Sequence, residues 1–190
     1  MSKSRNSQKK VTLSELNNHA TNNKRQALKD LSKLNFDEIM FKTPAQKRFY
    51  NTIAKKDITF CIGPAGCGKT YLSVHNALKA LGDKDSPIDG IVIVKPLVEA
   101  DGEKIGHLPG DIEEKTAPWM MSFYYNMEQL IGKQRLKILK EGGIIEVMPL
   151  AFMRGITLAN KFVILDEAQN ATQEQIKMFV TRMGEDSKYI

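Results

Sequence analysis

The sequence predicts an α/β fold, a mostly parallel sheet sandwiched by helices, and three observations lead there. Short β-branched runs alternate with stretches of helical periodicity, as where Phe162 to Leu165 precedes the helical pattern from Thr172. A glycine-marked turn, Gly63 to Thr70, joins one such run to one such helix. The run Phe162 to Leu165 ends in two adjacent acids, Asp166 and Glu167.

Taken in order, Lys24 to Leu34 places Ala27, Leu28, Leu31 and Leu34 at helical spacing. Thr43 and Pro44 read as N-cap and first helical residue, which predicts a helix from Pro44 to about Ala54. Asp57 to Ile62 is rich in β-branched and aromatic residues and predicts a strand feeding the glycine turn. After the turn, Leu72, Val74, Ala77, Leu78 and Leu81 keep helical spacing until Gly82. Asp83 to Asp89 is a polar loop, and Gly90 to Val94 is apolar enough for a strand buried on both faces. That strand ends in Lys95-Pro96, at the strand end where α/β proteins place functional loops. Glu99 to Glu114, marked by Gly102, Gly106, Pro109 and Gly110, predicts an ordered surface loop. Pro118 to Ile131 predicts a helix whose Met and aromatic stripe suits core packing better than base stacking. A helix over Gln134 to Lys140, a strand over Ile144 to Val147 and a loop from Pro149 to Gly155 carrying Arg154 follow. Phe162 to Leu165 is the next strand, Thr172 opens a helix to about Met183 with Arg182 near its end, and Ser187 to Ile190 opens a further strand.

A chain of 190 residues accommodates one such domain, and 42% hydrophobic with 26% charged residues is ordinary for a globular protein. No apolar run is long enough to span a bilayer, and no signal-peptide core opens the chain. Cys61 and Cys67 lie where a disulfide would distort the glycine turn, so both are expected as reduced thiols of a cytoplasmic protein. His19, His75 and His107 form no ligand cluster with them, which gives no support to a zinc site. The net charge of +6 belongs to residues 1–29, where seven Lys or Arg face Glu15 alone. Residues 1–30 are therefore expected as a basic, disordered tail, able to meet nucleic acid or merely to keep the chain in solution, ahead of a domain over 31–190.

Gly63-Pro64-Ala65-Gly66-Cys67-Gly68-Lys69-Thr70 satisfies the pattern G-x-x-x-x-G-K-[ST] at every fixed position. Chance supplies roughly one such match per hundred chains of this length, and the strand and helix around it make accident rarer still. The chemistry explains the spacing. Gly63, Gly66 and Gly68 free the backbone to point successive N–H groups inward as an anion nest, with Tyr71 beside it. Lys69 supplies a point charge for β- and γ-phosphates, and the Thr70 hydroxyl is placed to ligate Mg2+. Asp166 would hold the metal from the opposite side, and Glu167 would orient or deprotonate a water. Gln46 lies in the first turn of the preceding helix; its amide can read an adenine edge or simply face solvent.

These residues resemble the PhoH-like family of ATP-binding proteins, relatives of the first motor domain of superfamily 1 helicases. The resemblance also rests on Thr43 to Gln46, Lys95 to Ala100, Leu108 to Asp111 with Glu114 and Lys115, and Met148 to Gly155, in that order. It implies a RecA-like ATPase core, ATP with Mg2+ as ligand, adenine reading by Gln46 and a role in RNA metabolism under stress. It implies that the strand opening at Ser187 lies between the Asp166-Glu167 strand and the loop strand. It further implies that C-terminal strands with their sensor residues are missing, so the chain is expected to be a fragment. Cys67 stands where relatives usually carry Thr. Arg154 and Arg182 are candidates for sensing a γ-phosphate or for completing a neighbour's site in a homo-oligomeric ring. Two alternatives compete with an RNA-linked ATPase: a helicase-type motor fragment, and a nucleotide-dependent regulatory module with little turnover.

Overall fold

The computed structural model describes residues 26, 28–34, 36, 39–96 and 112–190, with side chains from residue 120 onward in the last span. Its elements in chain order are α1 (Pro44–Lys55), α2 (Lys69–Gly82), β1 (Gly90–Lys95), α3 (Ile112–Ile131), α4 (Lys133–Glu141), β2 (Ile145–Pro149), β3 (Lys161–Leu165), α5 (Gln173–Val180) and β4 (Lys188–Tyr189). Short 3-10 turns occupy Leu150–Met153 and Ala168–Asn170. The sheet order is β2-β1-β3-β4, and every described pairing is parallel.

Alternation along the strands divides the core. Ile91, Ile93, Phe162 and Ile164 face one side with α1 to α4, packing on Val74, Leu78, Phe123 and Met127. Val92, Val94 and Val163 face the other, against Leu150, Met153 and Phe179. Each fully buried aliphatic or Phe side chain contributes about 1.5–3 kcal/mol, so a strand covered on both faces is stabilised without edge polarity. Met120, Phe123 and Met127 are core residues, as their spacing indicated, while Met121 and Tyr125 remain exposed. Residues 28–31 are helical, and Leu31 is fully buried beside Phe36. The stretch from 99 to 111, read as a surface loop, lies outside the described residues.

Several elements depart from their predicted bounds. The strand expected over Asp57 to Ile62 forms a single parallel bridge, Ile58 with Tyr189. Tyr189 N donates to Asp57 O at 2.7 Å and Thr59 N to Tyr189 O at 2.9 Å. Beyond that bridge Phe60 and Ile62 are 68% and 99% exposed. Helix α3 starts at Ile112 rather than Pro118, since Glu113, Glu114 and Lys115 are good helix formers and the proline forfeits one backbone bond. Helix α5 stops at Val180 rather than near Met183, because the chain turns so that Leu158 N bonds Arg182 O and Gly184 N bonds Leu158 O. As implied, β4 does lie between β3 and the segment that feeds the glycine turn.

Two tertiary details there have measurable consequences. A Cβ on Gly184 would sit 2.6 Å from Leu158 O, so Gly184→Ala should lower stability by about 1–3 kcal/mol in urea denaturation. The Tyr189 hydroxyl is buried with no hydrogen-bond partner among the described residues, and burial pushes its pKa up to about 12, against a smaller opposing pull from Arg182. A phenol that keeps its proton longer when folded contributes stability below its unfolded value, and that contribution is lost as pH climbs from about 10 through 12. Tyr189→Phe should therefore leave stability at neutral pH unharmed and flatten its alkaline fall, as read by denaturation midpoints across that window.

Candidate functional site

Gly66 and Gly68 adopt φ of 72° and 87°, the left-handed conformation that favours glycine. Gly63 differs from expectation: its φ is not left-handed, and its value is space, since a Cβ there would meet Cys67 Sγ at 3.3 Å. Gly68 is the N-cap of the 14-residue α2 and offers no side-chain cap, which leaves the positive end of that helix open to an anion. Lys69 Nζ folds over its own loop, donating to Gly63 O and Pro64 O, both at 2.8 Å. Pro64 and Ala65 are exposed, Thr70 is half-buried in the first turn of α2, and the Tyr71 ring lies 6.4 Å from that of His75.

The loop is fastened from behind by α1. Gln46 N donates to Thr43 Oγ1, while Gln46 Oε1 accepts from Thr43 N and from Lys42 N at 2.6 Å, a reciprocal N-terminal cap. The same amide's Nε2 donates to Cys67 O at 3.0 Å. Gln46 therefore ties the start of α1 to the glycine loop, with both ends of its amide engaged. Four residues on, Tyr50 Oη lies 2.9 Å from His75 Nδ1, a buried pair that pins α1 to α2. Burial pushes the Cys61 thiol above its ordinary pKa, with Cys67 raising it further and Lys69 pulling it back. A protonated thiol is a poor nucleophile.

At the carboxyl end of β3, Asp166 N donates to Val94 O at 3.0 Å, a bond of the Val94–Leu165 pair that closes the ladder. Lys95 Nζ pairs with Asp166 Oδ2 at 3.2 Å and lies 5.8 Å from the Phe123 ring centroid. Glu167 takes φ 56°, a left-handed conformation that costs a non-glycine residue about 1–2 kcal/mol. Its carboxylate accepts from Gln169 Nε2, and Asn170 N closes the turn on Glu167 O. The strained backbone turns the Glu167 side chain to the surface immediately after a buried strand.

Parallel pairing runs unbroken from β1 through β3 and β4 to Ile58. The glycine loop and the Asp166-Glu167 pair therefore leave the sheet at the same end, with β4 between the segments that carry them. Among the described residues no group of three or more His, Cys, Asp and Glu could hold a metal ion, and no helix is long and apolar enough to cross a membrane. The family profile described as PhoH-like protein matches residues 38–190.

The chain belongs to the PhoH-like family. A PhoH-like protein of Synechocystis is 48% identical over 149 residues, which are 78% of this chain and 44% of that protein. One from Bacillus subtilis is 47% identical over 152 residues, 80% of this chain and 47% of the relative. Protein PhoH of Escherichia coli is 43% identical over 150 residues, 78% and 42%. The chain thus spans less than half the length of these relatives.

Within this PhoH-like chain the structure brings Gln46, the loop residues, Asp166 and Glu167 to one end of the sheet. It sets Arg182 apart: Arg182 O accepts from Leu158 N at the amino-terminal end of β3, opposite Asp166. Arg182 Nε is buried without a partner among the described residues, and its guanidinium lies near Tyr189. Arg154 is exposed, just past the 3-10 turn that follows β2. Lys95 was not predicted as a site residue. The signal was its place at a strand end, but its partner depends on the register of β1 with β3.

Replacing Gln46 by Ala removes both the reciprocal cap and the tie to Cys67 O. The expected loss is about 1–2 kcal/mol, a drop in Tm of roughly 2–8 °C by calorimetry. Gln46→Glu keeps the acceptor and loses the donor to Cys67 O, so it should recover the cap's share alone.

Proposed function

We propose that this chain binds ATP with Mg2+ and hydrolyses it, in the cytoplasm and in connection with RNA. One observation carries the reading: parallel register sends an uncapped, glycine-turned helix start and an acidic strand end to the same edge of the sheet. The loop N–H groups and the α2 dipole suit a polyphosphate. Lys69, now satisfied by Gly63 O and Pro64 O, would exchange those carbonyls for β- and γ-phosphate oxygens.

The donors also fit a magnesium ion. Thr70 hydroxyl and Asp166 carboxylate are hard oxygen ligands, and a cation, the Lys95 ammonium, already rests on Asp166. When bound there, Mg2+ would neutralise charge on the β- and γ-phosphate oxygens. Glu167 would take a proton from water as the water oxygen bonds to the γ-phosphorus and the bond to the ADP oxygen breaks. Arg154 is exposed enough to reach a neighbouring subunit's γ-phosphate, which would favour a homo-oligomeric ring. The basic residues 1–29 suit a polyanion such as RNA.

Calorimetry with ATP and Mg2+ should show binding to the unmodified chain and none to Lys69→Ala. Glu167→Gln should bind ATP normally and lose at least about 100-fold in phosphate release. Unchanged release in Glu167→Gln would favour a regulatory module instead, and duplex unwinding would favour a helicase-type motor.

A further inference from the structure

We propose that Lys95 is the resident cation of the magnesium position, holding Asp166 in the nucleotide-free protein and yielding that carboxylate when Mg2+ arrives with nucleotide. This rests on the magnesium-ATP reading above. The pairing is imposed by the backbone. Val94 sits opposite Leu165 at the end of the β1–β3 ladder, so the next residues of the two segments, Lys95 and Asp166, continue the same register and their side chains meet. Residues opposite each other in a parallel ladder project to the same side. That side is the one on which Ile93, Ile164, Phe123 and α2 pack, and α2 carries Thr70 in its first turn.

The pair is partly withdrawn from water, each side chain being 18% exposed, so it is screened less than a surface ion pair. The Phe123 ring 5.8 Å from Nζ adds a weak attraction on the other side of the ammonium. Lys95 thus holds the Asp166 carboxylate in place while no metal is present. A bare divalent ion would have to displace this cation from Asp166. A metal arriving with a polyphosphate supplies the displaced ammonium with new anionic oxygens, which a lysine can follow because its charge swings on a flexible stem. The consequence is an order of loading: nucleotide first makes the metal position accessible, and free Mg2+ alone is rejected.

Lys95→Met tests this by two readouts that do not involve turnover. Without nucleotide, the Tm of the unmodified chain should be insensitive to added MgCl2, while that of Lys95→Met should rise with it. With a fluorescent ATP analogue, the Mg2+ concentration for half-maximal binding should fall by about threefold or more in Lys95→Met, the scale of losing one competing ion pair. Lys95→Arg keeps the cation and should behave as the unmodified chain. Should the methionine variant lack a cooperative melt in EDTA, Lys95→Gln is scored by the same criteria. An unchanged or raised Mg2+ requirement, with no Mg2+ effect on melting, overturns the proposal. If the unmodified chain binds no analogue at any Mg2+ concentration, the nucleotide reading fails, and the melting comparison without nucleotide still decides the role of Lys95.

Discussion

Parallel hydrogen bonding that runs from β1 across β3 and β4 to the Asp57–Thr59 segment is the constraint on which the rest of this structure depends. In a parallel ladder every strand delivers its carboxyl end to the same edge, so loops far apart in sequence emerge side by side. Here that edge receives the glycine loop after Ile62, Lys95 as the last residue of β1 and Asp166 with Glu167 after β3. None of these groups recognises another through local sequence; the ladder assembles them. The covering helices follow from the same geometry, because each parallel crossover needs a return path and the alternating strand residues need covering on both faces.

Strain and attachment meet at the carboxyl end of the ladder. Glu167 holds a left-handed backbone that glutamate does not favour, stabilised by the short turn over Ala168–Asn170 and by its bond from Gln169. On the loop side, the bond from Gln46 to Cys67 O and the Tyr50–His75 pair tie the glycine loop and α2 to α1.

Much of the architecture was legible beforehand, and the reasons differ by element. Strands β1 and β3 are short unbroken apolar runs, and α1 announces itself with Thr43, Pro44 and Gln46, so local chemistry suffices for each. The start of α3 was misplaced because Pro118 looks like a first helical residue, yet the helix absorbs it at the cost of one backbone bond. Gly63 was assigned a conformational role and instead makes room for Cys67 Sγ. Arg182 was a candidate for sensing a γ-phosphate or completing a neighbour's site, and the turn after α5 puts it at the opposite end of the sheet from Asp166.

By itself the amino-acid order determined the glycine loop with its lysine and threonine, the acidic strand end and the alternation of strand and helix. Each of those is a contiguous pattern whose chemistry acts over a few residues. Only tertiary structure decided that Lys95 meets Asp166, that Gln46 is engaged with Cys67 O, that Gly184 must lack a side chain and that Arg182 lies away from the acids. Those outcomes depend on strand register and on close approach between segments distant in sequence. Long-range hydrogen bonding and packing set them, and no local spacing encodes either.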